Sequence, residues 1–217
     1  MASDTAPARR RGRPRATAEE VEARRQKLIR AAYEVFLDKG YHATSVADIT
    51  ARAGLGFGTY YKAFTNKREI LDPVIDFGVE QILSEILQDV TTDAATFAEY
   101  EQQFRTFAAR INAAFTERPR LAKFLMFEAT TVDEEITRRW QGVIELGVSL
   151  IAGYLEDGVH QGILRADLAT DETARAILGI ILMAVMQTAY GLTEPRQNDE
   201  YIDAALALIS DGTRGRS

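Results

Sequence analysis

One group of residues in this chain has the types and spacing to do chemistry. Arg9, Arg10, Arg11, Arg13 and Arg15 crowd into seven positions with Gly12 and Pro14 between them. Gly and Pro keep such a segment narrow and extended, so that Arg11, Arg13 and Arg15 fit the floor of an A·T minor groove, as in the Arg-Gly-Arg-Pro core of an AT-hook. The same run also reads as a solvated basic tail that only adds phosphate affinity. Either way the group suits a polyanion. Catalytic chemistry has little to start from. The chain has no cysteine, which excludes a disulfide scaffold, a thiolate zinc site and a cysteine nucleophile. His42 and His160 stand far apart, without ligand spacing and without a Ser or Asp arranged around either. No glycine-rich phosphate loop occurs, so neither an enzyme nor a cofactor or metal is expected.

The charge distribution points the same way. Residues 1–68 hold 14 Lys and Arg against 7 Asp and Glu, a net of +7, whereas the remainder holds 12 against 25, a net of −13. A basic module on an acidic body confines contact with nucleic acid to one end. With 46% apolar residues the chain has enough material for a real core. Its start, MASDTAPARRRGRPR, lacks the apolar stretch of a secretory signal. The longest apolar run, residues 176–186, is short of the roughly 20 residues of a bilayer span. A soluble, cytoplasmic protein with no membrane partner is the expectation.

The elements that follow these residues are helical. Thr17 and Glu20 fit a capping box, Leu28, Ala32, Val35 and Phe36 recur at helical spacing behind them, and Gly40 ends this first helix. Ser45 caps a second helix with Asp48 three residues on, and Gly54 stops it. A third runs over about 58–64, and Asn66 caps a fourth with Glu69 at its third position. Three short helices, the last two joined around Gly54, make a helix-turn-helix. Counted from Asn66, Pro73 is the seventh residue of the fourth helix, where it frees the Glu69 carbonyl and either serves as a hinge or marks a break. Beyond it, helical periodicity continues through Phe97 to Phe115, Leu121 to Leu125 and Ile136 to Leu155, then from a Thr170 cap to Tyr190 and from Tyr201 to Ile209. The fold class is all-α, about nine helices. The expected division is a disordered basic arm (1–16), a helix-turn-helix domain (17–66), a helical effector-binding and dimerisation domain (67–210) and a flexible tail (211–217).

The stretch over residues 40–71, GYHATSVADITARAGLGFGTYYKAFTNKREIL, resembles the DNA-binding domain of the TetR family of bacterial transcriptional regulators. The likeness rests on Gly40-Tyr41, Thr44-Ser45, Ile49, Ala53-Gly54, Gly58-Thr59, Tyr61, Phe64, Asn66-Lys67 and Leu71. It implies a dimeric repressor of double-stranded DNA, released when a small molecule enters the larger domain. Carried over by position, Phe57, Gly58, Thr59 and Tyr60 face the major groove, while Thr44, Tyr61 and Lys67 hold phosphates. Two positions depart from the family: Gly56 stands where a side-chain cap is usual, and Phe57 opens the reading helix without any hydrogen-bonding group. Phe57 either lies against a thymine methyl or sugar, or belongs to the module's own core.

Residues 176–186, AILGIILMAVM, are apolar all round, so the helix is buried on every side, and one side is expected to meet a partner subunit. The resemblance implies a homodimer through a four-helix bundle that uses Ile177, Ile180, Ile181 and Ala184 with Ala204, Ala205 and Leu208, and hence a palindromic operator. Phe104, Phe107, Phe124, Phe127, Trp140, Met183 and Met186, with Glu128 and Gln187 as polar members, are candidates for a pocket taking a hydrophobic effector, or are plain core. Two alternatives accompany the repressor reading: a TetR-like activator, and a ligand-independent architectural binder of A/T-rich DNA.

Overall fold

A computed structural model describes residues 16–88, 94–192 and 195–215; the arm residues Arg11, Arg13 and Arg15 lie outside them. Among the described residues are nine α-helices: α1 (Ala18–Lys39), α2 (Val46–Ala53), α3 (Phe57–Ala63), α4 (Leu71–Ile86), α5 (Phe97–Thr116), α6 (Pro119–Lys123), α7 (Glu134–His160), α8 (Thr170–Tyr190) and α9 (Pro195–Thr213). A π-helical turn (Phe124–Glu128) and a 3-10 turn (Ala129–Thr131) link α6 to α7. The only β pairing among these residues is an isolated bridge between Leu164 and Arg214.

Local chemistry explains most helix ends. Ser45 Oγ accepts from the Asp48 amide at 3.2 Å and the Asp48 carboxylate accepts from the Ser45 amide at 2.9 Å, a complete capping box. Gly54 closes α2 at φ +60°, a left-handed conformation that a side chain would strain. Thr17 accepts from the Glu20 amide, but the Glu20 carboxylate turns to Arg24 at 3.4 Å, so only half of the expected box forms. Thr170 is the first helical residue of α8, and Ala169 takes the cap position without a side-chain bond.

The fourth helix starts later than its sequence suggests. Asn66 Oδ1 does accept from the Glu69 amide at 3.0 Å, yet this bond closes a turn, and α4 begins only at Leu71. Pro73 therefore lies in the first turn, where a helix has no use for the missing amide, and the expected kink has no cause. The division at residue 66 shifts too. Ile70, Leu71, Val74 and Ile75 join Leu28, Ala32, Phe36, Ile49, Tyr60 and Phe64 in one core, which also takes in Leu121, Phe124 and Leu125. A second core gathers Tyr100, Val148, Leu155 and Ile177 from α5, α7 and α8, with Leu164 from the segment between α7 and α8. At the far end α9 runs on to Thr213, which is buried and whose carbonyl accepts from the Arg165 amide at 3.1 Å, so residues 211–213 are packed helix and not tail.

By length and composition α8 meets the requirement for a membrane span, although its longest unbroken apolar run does not. In the fold it packs among α5, α6, α7 and α9.

Candidate nucleic-acid interface and ligand cavity

Helix α3 has seven residues, and two anchor it. Tyr60 has no exposed surface and donates its hydroxyl to the Asn66 carbonyl at 3.1 Å; Phe64 caps the helix and is buried one turn on. Burial raises the Tyr60 phenol well above its ordinary pKa. With Tyr60 inside, a 100° step per residue turns Gly58 and Lys62 directly outward and sets Phe57 and Tyr61 together on one flank. The exposures agree: Phe57 is 52% and Tyr61 55% exposed, and Gly58 and Lys62 are exposed as well. Phe57 is thus no core aromatic. Tyr60 is withdrawn from any groove, contrary to the expectation drawn from the resemblance, because one of two adjacent tyrosines has to fill the space between α1 and α2. Thr59 lies half-buried on the other flank. Lys62, unnoticed in the sequence, is the one cation on the outward face of α3; its spacing of four from Gly58 is the signal that points to it.

Thr44 and Lys67 are placed for support and not for contact. Thr44 is buried and donates its hydroxyl to the Gly40 carbonyl at 2.7 Å. Lys67 precedes α4, so it gains nothing from a helix N-terminus. Its ammonium donates to the carbonyls of Thr44 (2.7 Å), Tyr41 (2.8 Å) and His42 (3.3 Å) and lies 4.3 Å from the centre of the Tyr41 ring. All three N–H donors are spent inside the protein. Burial lowers its pKa. The net effect is to pin the turn from which α2 starts. Next to it, Asp48 is held well below the usual carboxylate range by hydrogen bonds from Lys39 and Ser45.

The larger domain surrounds a cavity of about 550 Å³. Of the expected pocket residues, Phe104, Phe107 and Trp140 line it. Phe124 does not; it is buried and stacked on Phe36 of α1 at 5.8 Å. Phe127 lies against Tyr190 at 4.6 Å. The Glu128 carboxylate sits where a Cβ on Gly40 would approach it to 2.8 Å, so it belongs to the contact with the reading head. Met183 faces outward at 44% exposure, and Met186 and Gln187 are also absent from the lining. Conversely Ile177, Ile180, Ile181, Ala184 and Ala205, expected at a dimer face, all line the cavity. A helix that is apolar on every side carries no phase in its sequence, and the assignment is displaced by about one residue. The outward stripe of α8 is instead Ala176, Gly179, Met183 and Tyr190. On α9, Ala204 and Leu208 do face outward, the latter 69% exposed.

The sequence points to the fourth helix as a link between the two domains through a hinge at Pro73; the structure gives it that place through its two halves. Its first half, through Val74 and Ile75, belongs to the core of the reading head, and its second half, through Val79, Leu83 and Ile86, lines the cavity. Arg68, just before α4, reaches Asp72 at 2.7 Å, Glu135 at 3.0 Å and also Asp133, which ties the head to the start of α7.

Comparison with known proteins gives this geometry its context. Residues 28–74 match the family described as bacterial regulatory proteins, tetR family. The chain is 28% identical over 178 residues to the HTH-type transcriptional activator FasR of Mycolicibacterium smegmatis, covering 82% of this chain and 76% of that one. It is 26% identical over 191 residues to the HTH-type transcriptional repressor DhaR of Mycobacterium sp. (strain GP1), covering 85% and 89%. Among solved structures it resembles the transcriptional regulator FadR of Bacillus subtilis in complex with stearoyl-CoA, with a TM-score of 0.66 and 20% identity over 86% of this chain and 98% of that one. These relatives regulate transcription and are not enzymes.

Proposed function

We propose that the chain, whose residues 28–74 match the TetR family, is a helix-turn-helix regulator of transcription and a dimeric repressor, released from a palindromic operator by a small hydrophobic effector. One observation carries the reading: a single helix, α4, has one end in the core of the reading head and the other in the wall of the cavity. A ligand that pushes on Val79, Leu83 or Ile86 acts on a helix packed against α1, and α3 packs on α1 and α2.

In this reading Phe57, Gly58, Thr59 and Tyr61 meet the major groove, and Lys62 joins them as a phosphate contact. Phe57 offers only apolar contact, so much of the base discrimination falls to DNA shape. Arg11, Arg13 and Arg15 would enter a flanking A·T minor groove. The apolar stripe of Met183 and Tyr190 on α8, beside Leu208 on α9, is exposed in the single chain and supports burial against a second copy. Two-fold symmetry then requires two half-sites. The cavity size and apolar wall suit a long hydrocarbon or polycyclic ligand, and the FadR complex with stearoyl-CoA is a precedent for the hydrocarbon. We place the protein in the cytoplasm, with its DNA.

Selection of bound duplexes from a random pool, followed by a salt titration on the winner, tests the proposal. The expected result is an enriched dyad bound with a large specificity ratio. Enrichment of A/T-rich DNA without a dyad, bound weakly and with a steep salt slope, would replace it with the architectural reading.

A further inference from the structure

The cavity wall carries information about the polar end of its ligand. Among the described residues no Lys, Arg or His lines it, and the one charged group on the lining is the carboxylate of Asp157, an exposed residue near the C-terminal end of α7; the one amide side chain, that of Asn112, accepts from the Thr116 hydroxyl at 3.2 Å. The hydroxyls on the wall are already committed as donors. Ser149 donates to the Glu145 carbonyl (3.0 Å), Tyr154 to Gln103 Oε1 (2.9 Å), Thr188 to the Ala184 carbonyl (3.2 Å) and Tyr201 to the Ile180 carbonyl (3.1 Å). Arg110, adjacent in sequence to the lining residue Ile111, turns its guanidinium to the carbonyls of Ile86 and Gln88 at the end of α4. Asp157 itself has no basic partner within ion-pair distance among the described residues.

An anionic head drawn into the apolar part of this space would lose its hydration and find no cation and no free hydroxyl donor; held instead at the exposed Asp157, it would keep its water but meet a carboxylate of like charge. Either placement raises its free energy, whereas a hydrocarbon gains from the apolar wall. Resting on the reading of the cavity as the effector site, we propose that it selects an uncharged amphiphile, a long hydrocarbon ending in an alcohol, ester or ketone, over the carboxylate or coenzyme A thioester of the same chain length. Asp157 is the specificity-determining residue: it repels an anionic head and accepts a hydrogen bond from a hydroxyl. The ligand class therefore differs in charge from the stearoyl-CoA bound by the structurally similar FadR.

Trp140 is the one tryptophan of the chain and lines the cavity, so its fluorescence reports occupancy without a label. Full-length protein is titrated at neutral pH with 1-dodecanol, dodecanoate and dodecanoyl-CoA. Half-saturation by the alcohol is expected at a concentration at least about tenfold lower than by either anion. In Asp157→Asn the ratio of alcohol to carboxylate affinity is expected to shrink several-fold, and in Asp157→Arg to shrink further or invert. Dodecanoate or dodecanoyl-CoA binding as tightly as the alcohol overturns the inference while leaving the cavity as an effector site. If the preference persists unchanged in both variants, the assignment to Asp157 is overturned. If none of the three ligands changes Trp140 emission, the effector reading falls, and this inference with it.

Discussion

Tyr60 and Phe107 are aromatic residues of similar size, each on a helix that faces a functional surface, and the molecule treats them differently. Tyr60 has no exposed surface and is locked by a hydrogen bond to Asn66, with Ile49, Phe64 and Leu71 in the same core. Phe107 is only partly buried, because one side of it borders the 550 Å³ cavity and the other the edge of Tyr154. In the reading head apolar groups fill space and hold α3 to a single orientation; in the larger domain they enclose space. Interiors packed to crystal-like density transmit displacement, and hollow ones absorb ligand. The function proposed above needs both, joined by an element common to the two, and α4 is the helix shared by the two regions.

The contrast can be broken by mutation. Tyr60→Ala is expected to cost about 3–5 kcal/mol, since it empties a fully enclosed site, and Phe107→Ala less than about 1.5 kcal/mol, since it enlarges a cavity that already exists. Urea denaturation of the two variants decides it; equal losses would mean that the larger domain is packed as tightly as the head.

Next in size is the pair of lysines. Lys67→Met takes the ammonium donor from the Thr44 and His42 carbonyls and leaves the Tyr41 carbonyl with the Thr44 amide alone, and is expected to cost about 1–3 kcal/mol of stability. Operator affinity should fall because the turn before α2 loosens, yet the dependence of log K on log salt should keep its slope. Lys62→Ala should leave stability nearly unchanged and reduce that slope by about 0.9 per subunit contact. The reverse assignment of slopes would return Lys67 to the phosphate backbone.

Filling the hollow gives a smaller effect on stability and a larger one on response. Ile181→Phe is expected to change stability by less than about 1.5 kcal/mol, to leave DNA binding intact and to weaken the response of Trp140 to 1-dodecanol. An unaltered titration would place the ligand elsewhere.

The smallest effect is that of acid. Asp48, Glu85 and Asp133 all have carboxyl pKa values depressed in the folded state, by hydrogen bonds from Lys39 with Ser45, from Arg118 and from Arg68 respectively. A depressed pKa contributes stability that is present above the unfolded value and lost as pH falls through the folded one. Thermal midpoints should therefore stay flat from about pH 8 to 5 and drop below about pH 4. Asp48→Asn should reduce that drop by a minor share, because the group is at the surface.

What was legible follows from range. The Ser45–Asp48 box and Gly54 are interactions within four residues, and they stand where the sequence puts them. Where a helix starts is less local: the Asn66–Glu69 bond forms as its residues suggest, but whether it opens a helix or a turn is decided by how Ile70 and Leu71 enter the core. The position of Pro73, and with it the loss of a hinge, depends on that choice.

The chain's sequence alone determined that it is helical, that its basic end folds as a helix-turn-helix, and that its acidic body is built largely from apolar helices. These depend on periodicity, capping and charge, which are properties of neighbouring residues. Tertiary structure decided which of Tyr60 and Tyr61 is exposed on α3, which side of α8 meets the cavity, and that Lys67 is spent on carbonyls. Two adjacent aromatics, or a helix apolar on every face, have no intrinsic direction; only the shape of the space they must fill supplies one.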